Sequence, residues 1–120
     1  MAGQVSASDF WAALNGGARI AFPKLFTVET LSGDLVIDTT YGNCMRLDPG
    51  GASRDVTLPA EAGADGAFFV IVNAADAAEN LVIKDDGGST VCTVNRDEAG
   101  VVMCDGSSWY LLVMLTAPAS

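Results

Sequence analysis

No histidine occurs anywhere in the 120-residue chain, which removes the commonest general base and the commonest metal-ligating side chain. Nucleophile triads of the usual kind are therefore excluded. Basic residues are nearly as scarce: six Lys and Arg stand against fifteen Asp and Glu, a net charge of −9. Phosphate contacts need clustered cations, so nucleic acid is excluded as a partner, and an anionic membrane surface is disfavoured for the same reason. Cysteine is limited to Cys44, Cys92 and Cys104, without CxxC spacing. An odd number cannot close into a complete intrachain set, and reduced thiols used as small hydrophobes are expected, although Cys92 and Cys104 could pair across neighbouring strands.

Long apolar runs are missing too. The stretches around Ala67 to Val72 and Trp109 to Leu115 fall far short of the roughly twenty residues of a membrane span. Met1 to Ser8 lacks a basic region followed by an apolar one, so no signal peptide is expected and synthesis in the cytoplasm is. Paired carboxylates such as Asp85 with Asp86 or Asp97 with Glu98 point to opposite faces of a strand, or to solvent in a turn. The Asp85 to Gly88 turn could take a calcium ion weakly, but it lacks the spaced ligand series of a dedicated loop. The doublets Gly16-Gly17, Gly50-Gly51 and Gly87-Gly88 match no phosphate-binding fingerprint. No catalytic residue, metal ligand or cofactor is assigned, and the chain is not expected to be an enzyme.

What the sequence does contain is an excess of apolar residues. They make up 50% of the chain, with only 18% charged, below the roughly 25% of soluble globular proteins. The segment Trp109 to Leu115 (WYLLVML) is apolar on both faces if it is a strand, and Phe68 to Val72 (FFVIV) repeats the pattern. One face can enter the subunit's own core; the other needs a second cover. Each such side chain is worth roughly 1.5–3 kcal/mol when buried. A homo-oligomer is therefore expected, with Phe69, Ile71, Tyr110, Leu112 and Met114 as its interface.

Two regions are expected. In 1–23, Ser6 or Ser8 can cap a short helix that ends at Asn15-Gly16-Gly17. So short a helix is marginal alone, so Phe10, Trp11 and Leu14 must dock on their own domain, a sister subunit or a foreign surface, and Asp9, Phe10, Trp11 and Leu14 are the candidates for a contact with another assembly. In 24–120, strands are predicted at 25–30, 35–39, 45–47, 54–58, 67–73, 81–84, 90–94, 101–104 and 109–115, separated by Gly- and Asp-rich turns. The fold expected is mainly β, a small antiparallel β-sandwich or barrel with hairpin connections, preceded by an arm carrying a short helix.

The order GAFFVIVN (66–73), NLVIK (80–84), GSTV (88–91), AGVVMCDG (99–106) and then Trp109 resembles β-rich modules of tailed-bacteriophage virions. These occur in head-decoration (capsid cement) proteins and in head or tail fibres. The resemblance covers about Leu47 to Leu115; residues 1–23 carry no signature of it. It implies a trimeric structural protein bound to the major capsid protein on the outside of the capsid. On that reading the 1–23 arm touches the capsid. The alternative it carries is a receptor-binding module of a fibre, recognising a glycan or host surface; Trp109 could then be a sugar-stacking platform rather than a core anchor.

Overall fold

The computed structural model describes residues 26–38 and 41–116. The expected helix and the arm residues Asp9, Phe10, Trp11 and Leu14 lie outside them. Among the described residues nine strands follow one another: β1 (Phe26–Thr30), β2 (Leu35–Val36), β3 (Cys44–Asp48), β4 (Arg54–Thr57), β5 (Phe68–Asn73), β6 (Leu81–Lys84), β7 (Thr90–Val94), β8 (Glu98–Cys104) and β9 (Trp109–Thr116). A 3-10 turn, Glu61–Gly63, interrupts the connection before β5. The protein is mainly β, as expected.

The pairing departs from expectation. The strands form two sheets, sheet A in the order β1-β3-β5-β8-β9 and sheet B in the order β2-β4-β6-β7. Through β6 the chain alternates between the sheets, so β1, β3 and β5 pair in parallel, as do β2, β4 and β6. Only β6–β7, β5–β8 and β8–β9 are antiparallel. Both sheets are mixed, and the expected all-antiparallel arrangement with dominant hairpins is incorrect. The physical reason lies in the turns: a short Gly- and Asp-rich link makes a hairpin within one sheet or a corner between two with the same residues.

Hydrogen bonds between successive windings continue beyond the strands. Leu31 N donates to Asp48 O (2.8 Å), Ile37 N to Thr57 O (2.9 Å), Leu58 N to Lys84 O (2.8 Å) and Ala74 N to Leu47 O (2.8 Å). Gly50 sits where one winding passes over the last: its φ is +76°, and a Cβ there would stand 2.1 Å from Leu31 O. Only glycine fits.

Inward-facing residues of both sheets share one core. Sheet A supplies Met45, Leu47, Phe69, Ile71, Val102, Cys104 and Trp109, and sheet B supplies Leu35, Val56, Leu81, Ile83 and Val94. At Gly100 a Cβ would come within 3.1 Å of Val94 Cγ2, so the missing side chain lets β7 approach β8. Trp109 is buried, stacks on Phe69 with ring centroids 5.8 Å apart, and donates from Nε1 to Pro59 O at 2.9 Å. It is a core anchor, and a buried ring cannot serve as a sugar platform.

Candidate interaction surface

The two sheets present opposite chemistry to the outside. On sheet B, β-register brings Asp55, Val82 and Thr93 into one outward row and Val36, Thr57 and Lys84 into another. Lys84 Nζ pairs with Asp55 Oδ2 at 3.1 Å across them. This is the ordinary half-polar face of a solvated sheet.

On sheet A, register builds three outward rows: Phe68–Met103–Tyr110, Phe26–Cys44–Val70–Val101–Val113, and Val28–Arg46–Val72–Ala99–Leu115. Arg46 is the only charged residue among them. Val28 is 72% exposed, Phe26 52% and Leu115 53%, so the rows end in open apolar side chains at both edges of the sheet. A contiguous apolar patch spanning five strands is what interaction surfaces look like.

β9 extends this face past the core. Its burial falls away after Trp109, and a bulge opposite Val101 and Val102 inserts Leu112, which is 63% exposed. β9 is an edge strand, eight residues long and free of charge and proline. Natural edges are normally blunted by Lys, Pro or brevity; here the bulge is the one such device.

The turn before β9 is heavily bonded. Asp105 Oδ1 accepts from Ser107 N and Ser108 N, both at 2.8 Å, and Asp105 Oδ2 accepts from the Tyr110 hydroxyl. The Tyr110 bond, then the two amides, hold the Asp105 carboxyl below its usual range. The same bond pushes the Tyr110 phenol up, with burial adding to it. Tyr110 thus satisfies its polar end locally and offers its ring to the outer face.

At one end of the face a cavity of about 600 Å3 is lined by Arg46, Val72, Asn73, Ala74, Ala75, Asp97, Glu98, Ala99, Leu115 and Thr116. Arg46 has neither a hydrogen bond nor an ion pair among the described residues. Asp97 sits at φ +65° in the turn entering β8, and Glu98 Oε1 accepts from Asn95 N at 2.9 Å.

The expected interface residues divide. Tyr110 and Leu112 are exposed. Phe69 and Ile71 are in the subunit core, and Met114 points inward and packs against it. The parity expected for β5 is therefore reversed: Phe68, Val70 and Val72 face outward. Arg46, Val28, Phe26 and Met103 were missed, because only long-range register gathers them.

There are two acidic groupings among the described residues, one in the β6–β7 turn and one beside the end of β3 in sheet A. Asp85 Oδ1 accepts from Gly87 N (3.0 Å) and Ser89 N (2.8 Å), so it is occupied in closing the β6–β7 turn. Asp48 on β3 and the neighbouring loop residues Asp76 and Glu79 bring carboxylate oxygens within 4.8 Å of one another. They offer the donor type of a hard-cation site, but with three side chains against the about six to eight oxygens such ions take. Of the thiols, all free, Cys92 is pushed up by burial, Cys104 is buried, and Cys44 lies on the outer face of sheet A.

Comparison of the chain with protein-family models, with curated proteins and with solved structures finds no match.

Proposed function

We propose that this chain is a structural virion protein: a decoration, or cement, subunit on the outside of a tailed-phage capsid, working as a homo-oligomer of three copies as the resemblance implies. Its two sheets close as a β-sandwich, and it acts by contact without catalysing a reaction or carrying a cofactor. The observation that carries this reading is the one-sided surface. A face apolar across all five strands of sheet A, behind a half-polar sheet B, suits a subunit that spends its life covered on one side. An acidic exterior suits the exposed outside of a particle, where like charge keeps particles apart. In this reading 1–23, with Asp9, Phe10, Trp11 and Leu14, reaches the major capsid protein. Symmetric association multiplies weak contacts, so each arm can bind modestly while the oligomer holds.

The test is localisation on particles. Antibody against the protein should label the heads of virions from the virus that encodes it, and heads stripped of the protein should rupture at lower temperature. Labelling confined to fibre tips would favour the receptor-binding alternative, and recovery only outside particles would contradict both.

A further inference from the structure

We propose that the outer face of sheet A packs against the same face of a second copy of this chain, related by a rotation axis running along the strands. The inference rests on the reading of an assembled structural protein and adds the surface, its register and its polar anchor.

Three observations commit the face to a second copy. The first is size. Two rows across five strands and one across three, at about 4.8 Å by 6.8 Å per position, give a footprint of about 420 Å2. Side-chain relief on that area brings it to the lower end of specific interfaces, about 600–800 Å2 of accessible surface per partner. The second is charge. The chain carries −9, yet the three outward rows hold no carboxylate, the nearest on this face being Asp48 one row further along β3, so the apolar rows of two copies meet without opposing acids.

The third is direction. β8 runs against β5 and β9 against β8, so β9 runs with β1, β3 and β5. Rotation about an axis along the strands preserves direction and level, and the β1–β3 half of one copy then covers the β8–β9 half of the next. Cys44 comes to face Val101 of the neighbour within the same apolar row. Arg46, unpartnered among the described residues, comes to the level of the neighbour's Ala99, with the Asp97–Glu98 turn just beyond. A dimer or a closed ring of three satisfies this relation equally.

The experiment is a cross-link in the full chain. Within one subunit Cys44 and Val101 lie two strands apart, about 9.6 Å, and facing sheets stack about 10 Å apart, so both distances exceed the roughly 7 Å of a disulfide and the origin of a link has to be read from isotope labels. In Val101→Cys a bis-maleimide spanning about 10 Å should join the new thiol to Cys44 of another copy, and mixing labelled with unlabelled protein should give linked peptides of mixed label and a multimer band. In the wild type, Cys44 should resist thiol labelling when assembled and react on dilution. Arg46→Gln and Asp97→Asn should each weaken self-association about three- to tenfold, and the double variant no more than the worse single one. A wild type that assembles by mass while Cys44 labels freely and Val101→Cys gives no cross-link would overturn the inference and leave the virion reading standing. A cross-linking protein that never labels heads would do the reverse.

Discussion

Asn73, at the end of β5 in sheet A, donates through Nδ2 to the carbonyl oxygen of Val94 on β7 in sheet B, 3.0 Å away. The same nitrogen donates to Glu79 O at 2.9 Å, and Oδ1 accepts from Ala75 N at 2.9 Å. A single buried amide thus joins the two sheets and pins the loop that connects β5 to β6. Asn73→Leu keeps the volume but strands two carbonyls and an amide. It should cost about 2–4 kcal/mol in urea unfolding; a loss under about 0.5 kcal/mol would mean that water replaces these bonds.

Gly50 and Gly51 form an internal control. Both have positive φ, but a Cβ on Gly51 meets nothing within 4 Å, whereas one on Gly50 meets Leu31 O at 2.1 Å. Gly51→Ala should lose about 1 kcal/mol from backbone conformation alone. Gly50→Ala must also push one winding off the next, so its unfolding midpoint should fall well below that of Gly51→Ala. Equal midpoints would refute the close passage.

Trp109 contributes both area and a hydrogen bond. Trp109→Phe retains stacking on Phe69 but frees Pro59 O, a loss of about 1–2 kcal/mol. Trp109→Ala should cost about 3–5 kcal/mol. Chemical denaturation followed by far-ultraviolet circular dichroism separates the two.

The Asp105–Tyr110 bond gives a pH dependence whose sign is fixed. The folded pKa of Asp105 lies below its ordinary 3.8, so its contribution is present above that value and is lost as pH falls through the folded pKa. The folded pKa of Tyr110 lies above its ordinary 10.0, so its contribution is present below 10.0 and is lost as pH rises through the folded value. Tyr110→Phe should move the Asp105 carboxyl part of the way back up, since the Ser107 and Ser108 amides remain. Carboxyl-carbon NMR titration reads this; an unmoved Asp105 would contradict it.

Local pattern made the strands legible. Every observed strand overlaps an expected one, because alternating apolar residues between Gly- and Asp-rich turns carry that information in a few neighbouring positions. β9 also announced its surplus apolar surface, and Asp105 with Gly106 announced the turn before it. Pairing partners were illegible because corner and hairpin turns share residues. The facing of β5 was illegible for a different reason: FFVIV is apolar at both parities, and only packing against β3, β8 and sheet B decides that Phe69 and Ile71 go inward. The candidate surface itself is assembled from Phe26 to Leu115 by register. No segment shows that Arg46 stands alone in an apolar field.

The most direct measurement is sedimentation equilibrium of the full chain at micromolar concentration, beside Val70→Asp, which places a charge at the centre of the outer face of sheet A. The wild type should sediment as a multiple of 12.3 kDa, and Val70→Asp should shift towards the monomer while still unfolding cooperatively, with a midpoint that no longer rises with protein concentration as the wild type's does. A wild type that stays at 12.3 kDa across that range, with the same mass for Val70→Asp, would contradict the account.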